Sequence, residues 1–379
     1  MTRFHDPRRT AATLAILLFC LSASSCGDDG AGLSPAFRAL RSVGADFSSN
    51  LPIVVIDTGG AEIPDEPKID ARMTVIDNPP GERNRLLDAP VLETAIGIEI
   101  RGTSSQAYPK KQYGIETRDE TGEDANVSFL GFPEESDWVL YAPYADKSLM
   151  RNHLAYGFSR AMGRYASRTR FVELLFQTSD TTWAYNGVYV GMEKIKRDGD
   201  RVDIEKIRDD LTGGYILKVD WPDPDEWFFV APNGVDMIVE YPKADDITPA
   251  QQAWIVSFVE DLHASLPPRS PGGGHAAFLD PASFADFLLL REFFKDVDTY
   301  RASTFFHKDK DGPLVAGPVW DFNASSGNGG YLDLEDPEGW MLDQWPDAAA
   351  WWRDLLVDGD FRADLVARWE ALRGGVLSP

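Results

Sequence analysis

The chain is poor in cysteine. Cys20 and Cys26 are its only cysteines among 379 residues, and both lie close to the N-terminus. Disulfide scaffolds and thiolate zinc sites need several cysteines at set spacings. We therefore expect a fold that is held by a hydrophobic core, without an internal disulfide or a cysteine-bound metal.

Common catalytic motifs are missing as well. No H-E-x-x-H pair occurs among the five histidines, which disfavours a zinc hydrolase, and the lack of G-x-S-x-G disfavours an α/β-hydrolase. G-x-G-x-x-G and the Walker A motif are also absent. A phosphate-binding site in this chain would need another kind of loop.

Positive charge is scarce. The 37 lysines and arginines face 61 aspartates and glutamates, for a net charge of −24. Such a surface repels a phosphate backbone, so we expect no nucleic-acid partner. ATP would be repelled too, unless basic side chains at its own site offset the field. With 43% hydrophobic residues, a chain of this length can form two domains or two lobes around a cleft.

The N-terminus has the pattern of an export signal. Three arginines precede an apolar run over residues 11–23, which is too short to span a membrane comfortably. Residues 21–26 resemble a bacterial lipobox. This predicts a signal peptide over residues 1–25, lipidation of Cys26, a flexible linker over residues 26–50 and an exported lipoprotein anchored to the membrane of the cell envelope or surface. The alternative is an ordinary signal peptide cut nearby, with Cys26 incidental.

The periodicity of the remaining chain predicts an α+β protein. Strand patterns occur at residues 51–57, 73–76, 94–101, 110–117, 169–177, 187–195, 202–204 and 214–218, with a polar connection at 178–186. Helical patterns occur at residues 147–162, 248–266, 280–295 and 361–373, and a hairpin is predicted at 303–319. A strand-rich N-terminal lobe over residues 51–240 and a mainly helical C-terminal lobe over 241–379 match the layout of a bilobal, atypical protein-kinase-like fold. Many α+β proteins share this order, so it is weak support alone.

A loop rich in small hydroxyl residues lies between two predicted strands. Backbone N–H groups and the hydroxyls of Ser104 and Ser105 can contact phosphate oxygens, with Arg101 before them. Lys110 and Lys111 follow on the returning strand. Because side chains alternate along a strand, only one of the two lysines can face the cleft, and we favour Lys111. A polar hairpin with solvated lysines is the alternative.

Two further positions suggest roles beside this loop. Asp146 is placed to cap the helix at 147–162, which lacks the glutamate that pairs with the strand lysine in kinases. Glu193 lies at the end of a predicted strand that would join the lobes. There it can bind a ribose or a basic residue, and an ion pair with Lys194 or Lys196 is equally consistent with the sequence.

Two aspartates follow predicted elements in the second half. Asp298 comes after an apolar helix, and Asp321 ends the strand pattern over residues 318–320. One carboxylate can orient or deprotonate an acceptor hydroxyl while the other binds magnesium against phosphate groups. Turn formation or helix capping is the alternative explanation.

The chain resembles the CotH family of atypical, kinase-like proteins from about residue 51 to its end. The similar positions are 101–105, 109–111, 130–133, 137–138, 146, 151–152, 187–189, 193–195, 298 and 320–322. The resemblance implies phosphorylation of protein serines or threonines with ATP and Mg²⁺ or Mn²⁺. It implies Asp298 as the catalytic aspartate, Asp321 as the metal ligand and Lys111 as the phosphate-binding lysine.

The chain departs from the family pattern at two positions. Asn323 stands where the family often has a second aspartate of W-D-x-D, and Ser303 stands where many members have an asparagine. Both can still coordinate a metal through a neutral oxygen. They also favour a second hypothesis, a weakly active or inactive surface or coat scaffold with a kinase-like fold. Nucleotidyl transfer by the same carboxylates is a third.

Overall fold

The structure is a computed structural model that describes residues 40–270, 274–330, 332 and 334–378. The predicted signal peptide, Cys26 and the first part of the predicted linker lie outside these residues. Within the described ranges, no helix combines the length and apolar character needed to cross a membrane.

The first half of the described chain is a closed barrel with one added strand. The strands are β1 Arg41–Val43, β2 Ser48–Ser49, β3 Ile53–Asp57, β4 Ile69–Ile76, β5 Asn84–Arg85, β6 Leu92–Arg101, β7 Gln112–Arg118, β8 Asp137–Tyr141, β9 Thr169–Ser179 and β10 Thr182–Glu193. Around the barrel the order is β10, β8, β7, β6, β4, β3 and β9, and β9 pairs again with β10. Neighbours are antiparallel except β3 and β9, and β1 adds to one edge of β10.

Three predictions change in this half. Residues 41–43 and 48–49, predicted as linker, form β1 and β2, because β10 and β5 offer them edges for backbone pairing. Most of the predicted polar connection at 178–186 belongs to β9 and β10, which form a long hairpin with register shifts near Trp183 and Gly187. Residues 202–204 make only an isolated bridge at Val202. Backbone pairing outweighs the local sequence in the first two cases.

Alternation along β7 separates the barrel interior from its outer face. Tyr113 and Ile115 are buried inside with Trp138 of β8, whereas Gln112 and Gly114 lie on the other face. The register places Arg101 of β6 opposite Gln112, so Arg101 also lies on the outer face.

Helix α1, Arg151–Ala161, begins later than predicted. Asp146 lies in the turn before it and accepts hydrogen bonds from the backbone N–H groups of Ser148 at 3.0 Å and Arg151 at 2.9 Å. Leu149 between them has a φ of 64°, which a helix does not allow. Asp146 therefore fixes the approach to the helix instead of serving as its first cap.

The second half contains a five-stranded sheet as well as helices. The elements are β11 Tyr215–Val219, β12 Phe228–Val230, β13 Asp236–Tyr241, β14 Thr304–Lys308, β15 Leu314–Val319, α2 Pro249–Ser265, α3 Pro281–Phe294, α4 Met341–Gln344, α5 Ala350–Leu355 and α6 Gly359–Arg373. The strand order is β12-β13-β11-β14-β15, and β11 pairs with β14 across the lobe boundary predicted after residue 240. The predicted mainly helical second lobe is therefore a sheet with helices against it.

The barrel and the second sheet share one hydrophobic core. Val139 and Met192 on the outer face of the barrel belong to the same buried cluster as Tyr215 and Leu217 of the second sheet. Trp320, which follows β15, packs against this cluster too. Arg101, at the C-terminal end of β6, and Trp320, after β15, therefore meet where the barrel and the second sheet adjoin.

Candidate functional site

Asp321 is held in an unusual backbone conformation by α1. Its φ of 57° lies in the left-handed region, which costs energy for a residue other than glycine. Its N–H donates to the hydroxyl of Tyr156 at 3.0 Å, and the next N–H, of Phe322, donates to Oδ1 of Asn152 at 2.6 Å. Two side chains of α1 thus fix the direction in which the strand leaves the sheet.

Asp298 lies near Asp321. The pKa of Asp321 is raised to about 6, chiefly by burial and also by the charge of Asp298. Hydrogen bonding from Asn323 and the charge of Arg101 oppose this rise. Asp298 itself accepts a hydrogen bond from Nη2 of Arg301 at 2.7 Å. The structure thus brings both predicted aspartates together, with Arg301 bonded to Asp298 and the charge of Arg101 near Asp321.

Arg101 lies beside this site, and Lys194 lies near Arg101. Arg101 lies 5.7 Å from the ring centre of Trp320, and burial lowers its pKa while the charge of Asp321 opposes the fall. Burial also lowers the pKa of Lys194, which lies near Asp137 and Glu240 as well as Arg101. Within the described residues, neither side chain makes an ion pair or a hydrogen bond. An anionic ligand would satisfy both groups.

The two predicted lysines have other contacts. Nζ of Lys110 donates to the carbonyl of Val188 at 2.5 Å, and Nζ of Lys111 donates to the carbonyl of Gln106 at 2.5 Å. Ser104 and Ser105 belong to a short 3-10 helix over residues 104–107 in the same loop. The loop therefore binds Lys111 through its own backbone, and neither ammonium contacts Asp298 or Asp321.

Glu193 is inside the protein. Its carboxylate accepts hydrogen bonds from Nη1 of Arg168 at 2.6 Å, from the Arg168 N–H at 2.8 Å and from the hydroxyl of Tyr165 at 3.2 Å. The side chain is fully buried. These bonds join β10 to the segment before β9, whereas the next residue, Lys194, lies near Arg101.

Ser303 lies at the edge of the site beside a carboxylate that the sequence did not single out as a site residue. Its N–H donates to Oδ2 of Asp220 at 3.4 Å, and its φ is 47°. Burial raises the pKa of Asp220, and the charge of Asp298 contributes. Asp220 follows β11, so only the pairing of β11 with β14 reveals its proximity to Ser303.

The donor set suits a hard divalent cation. Asn323 donates from Nδ2 to Oδ1 of Asp321, so its amide lies against the carboxylate, and a half-turn about the Cβ–Cγ bond of Asn323 would bring the amide oxygen there. In the described part of the chain, no three His, Cys, Asp or Glu side chains form a metal cluster. Magnesium commonly takes only one or two protein carboxylates and completes its shell with water and phosphate oxygens. Asp321 with Asn323 fits that mode of binding.

One family model matches most of the chain. The profile described as CotH kinase protein matches residues 98–379, well over half of the chain, and includes Arg101, Asp298 and Asp321. The comparison with curated proteins gives no match. The chain belongs to the CotH kinase protein family.

Proposed function

We propose that this protein transfers the γ-phosphate of ATP to a serine or threonine hydroxyl of another protein, with Mg²⁺ or Mn²⁺ as the cofactor. The observation that carries the proposal is that Asp298 and Asp321 lie close to each other, with Arg101 close to Asp321. Asp321 has the strained backbone common at functional sites. Membership of the CotH kinase protein family supports the same reaction class.

Each residue has a defined role in this reaction. Asp298 accepts the proton of the acceptor hydroxyl as its oxygen attacks the γ-phosphorus, and the bond to the β–γ bridging oxygen breaks to release ADP. Asp321, with Asn323, would hold the divalent cation, which neutralises phosphate charge when bound. Arg101 and Lys194 supply positive charge to the anionic nucleotide in a protein of net charge −24.

A kinase-like scaffold is the second candidate. Asn323 leaves the site with one negative charge fewer than the usual family pattern, Ser303 offers a hydroxyl where an amide oxygen is usual, and Arg301 already occupies Asp298 at 2.7 Å. A protein that binds a partner without turnover would tolerate these features. Export and lipidation at Cys26 remain a separate proposal, which labelling of cells with radioactive palmitate and a Cys26→Ala variant would test.

The test is incubation of the full chain with Mg²⁺ or Mn²⁺ and ATP labelled on the γ-phosphate. We expect label on the protein or on a serine-rich acceptor, and a fall of about 100-fold or more in Asp298→Asn, the usual contribution of general base catalysis. Asp311→Asn, an exposed aspartate in the β14–β15 turn, is the matched control and should keep its activity.

Other outcomes identify the rivals. Absence of label in the unmodified protein, together with no rise in Tm when nucleotide is added, would support the scaffold. Transfer of label from the α-phosphate of ATP instead of the γ-phosphate would identify nucleotidyl transfer.

A further inference from the structure

A fully buried ion pair lies behind the two aspartates. Arg291 near the end of α3 pairs with Asp296, and neither side chain has any exposed surface. Asp296 precedes Asp298 by two residues and starts the loop that carries it. The proposed reaction uses neither residue, although a buried ion pair is costly to keep.

The Arg291 guanidinium contacts both catalytic segments at once. It binds the carboxylate of Asp296, and its Nη2 donates to the carbonyl of Ser303 at 2.7 Å. It therefore bonds both ends of the loop that contains Asp298. Its flat face lies 4.5 Å from the ring centre of Phe322, the residue after Asp321, and 5.1 Å from that of Phe287.

The segments that Arg291 joins are strained. Tyr300 and Ser303 in the Asp298 loop have φ values of 68° and 47°, and Asp321 has 57°. Non-glycine residues keep such conformations only where their surroundings hold them. Arg291 supplies contacts on both sides, through Ser303 in one segment and through Phe322 in the other.

Stability alone does not explain this arrangement. Nε of Arg291, Oδ1 of Asp296 and Oγ1 of Thr299 are buried without a hydrogen-bond partner among the described residues. Unsatisfied buried polar atoms are uncommon in native proteins, so each of these three calls for an explanation. Well-packed apolar side chains in place of a buried ion pair often leave stability unchanged or higher. A requirement for geometry accounts for the polar groups better than a requirement for stability.

We infer that Arg291 is the positioning residue that sets Asp298 relative to Asp321, through Asp296 and Ser303 on one side and Phe322 on the other. The inference rests on the proposed phosphoryl transfer, since it assigns Arg291 to the same site. It predicts that loss of Arg291 lowers the rate of transfer and weakens the metal site, with little effect on nucleotide affinity once the metal is saturating.

The experiment replaces the pair with apolar residues in the full chain, as Arg291→Met with Asp296→Leu. We expect a folded protein whose Tm does not fall, whose KM for ATP stays within about threefold and whose kcat drops by about 100-fold, the effect of a displacement near 1 Å at a reacting centre. The control is Arg170→Met with Asp77→Leu, which removes the bidentate ion pair of the barrel and should keep kcat. An unchanged kcat in the Arg291 variant overturns the inference.

A second variant covers the case in which the first does not fold. Arg291→Lys keeps the charge beside Asp296 but cannot bond two oxygens in one plane or stack as a guanidinium does. We expect a kcat about 10-fold lower at similar KM, which corresponds to misplacement of a fraction of an ångström. A normal kcat for Arg291→Lys in a folded protein also overturns the inference.

Failure of the proposed function gives a different pattern. If the unmodified protein transfers no phosphate, its affinity for Mn²⁺ in the presence of ADP is measured from the paramagnetic resonance of free Mn²⁺. The inference then expects affinity at least about 10-fold weaker in the Arg291 double variant, because Asp321 loses its support through Phe322. Equal affinity, or no binding by either protein, overturns it.

Discussion

Lys110 has an enclosed ammonium whose contacts do not neutralise its charge. Its Nζ bonds the carbonyl of Val188 and lies 4.3 Å from the ring centre of Tyr189. Burial lowers the pKa of Lys110 to about 8, from 10.5, with Glu173 opposing. Because the unfolded chain holds this proton more tightly, the contribution of Lys110 to stability rises with pH between about 8 and 10.5.

The lowered pKa predicts selective chemistry at Lys110. The uncharged amine is the nucleophile, so trinitrobenzenesulfonate should modify Lys110 with a midpoint near pH 8, and the rate should be followed by peptide mass spectrometry. The Lys110→Arg variant should lose the fast-reacting site. A midpoint close to 10.5 would show that the ammonium is not enclosed as the structure has it.

Replacement of Asn323 by aspartate adds one negative charge to the site. In Asn323→Asp a carboxylate replaces the amide that bonds Asp321. We expect Mn²⁺ to bind about 10-fold more tightly, because hard cations bind better as carboxylates are added. We also expect a lower Tm without metal, since like charges at close range destabilise each other.

The measurement is a titration of free Mn²⁺ by paramagnetic resonance, together with Tm with and without the metal. Asn233→Asp makes the same chemical change near Ala348, outside the candidate site, and should leave Mn²⁺ affinity unchanged. Unchanged affinity in Asn323→Asp would place the metal elsewhere.

The site could be predicted from the sequence only where a local motif defines it. Asp298 and Asp321 were found from the elements that precede them, and the structure brings them together. The burial of Glu193 could not be predicted, since alternation along β10 does not show which of its faces is the inner one. The register of β10 against Trp138, a residue of the barrel interior, resolves this, and registers between distant strands leave no local pattern.

At the scale of elements, helices with strong end signals were predicted well. Helix α2 begins after Thr248 and α3 after Asp280, as the sequence indicates, and both have proline in the first turn. Strands β8, β12 and β13 were not predicted. Their positions depend on partners elsewhere in the sheets, so local periodicity carries little information about them.

The α2 capping box should contribute measurably to stability. The Thr248 hydroxyl accepts the Gln251 N–H at 3.3 Å, and the Gln251 side chain accepts the Thr248 N–H at 2.9 Å. Thr248→Ala should lower the free energy of unfolding by about 1 kcal/mol, as for other N-caps. Urea denaturation gives this value, and Thr248→Ser, which keeps the hydroxyl, should stay within a few tenths of a kcal/mol. Equal stability of the alanine variant would mean that α2 does not depend on its cap.

At the scale of the whole molecule, closure of the barrel is the feature that the sequence predicts least. The parallel pairing of Ile53 with Glu173 joins segments far apart in the chain, and the second pairing of β10 completes the ring. The two predicted lobes also share their core, since Val139 and Met192 of the barrel pack with Leu217 of the second sheet. Separate lobes were a reasonable expectation from element order, but side-chain packing between the sheets has no signature in that order.

A shared core predicts that the protein unfolds as one unit. Calorimetry should give one transition with equal calorimetric and van't Hoff enthalpies, because opening either sheet would expose apolar surface of the other. Met192→Ala should destabilise the protein by about 2–5 kcal/mol, the usual cost for a buried methionine, and should shift the whole transition. Leu87→Ala, at a side chain that is 74% exposed, should leave the transition in place. The contrary result is two resolved transitions, only one of which moves in Met192→Ala. It would show that the barrel and the second sheet are independent folding units.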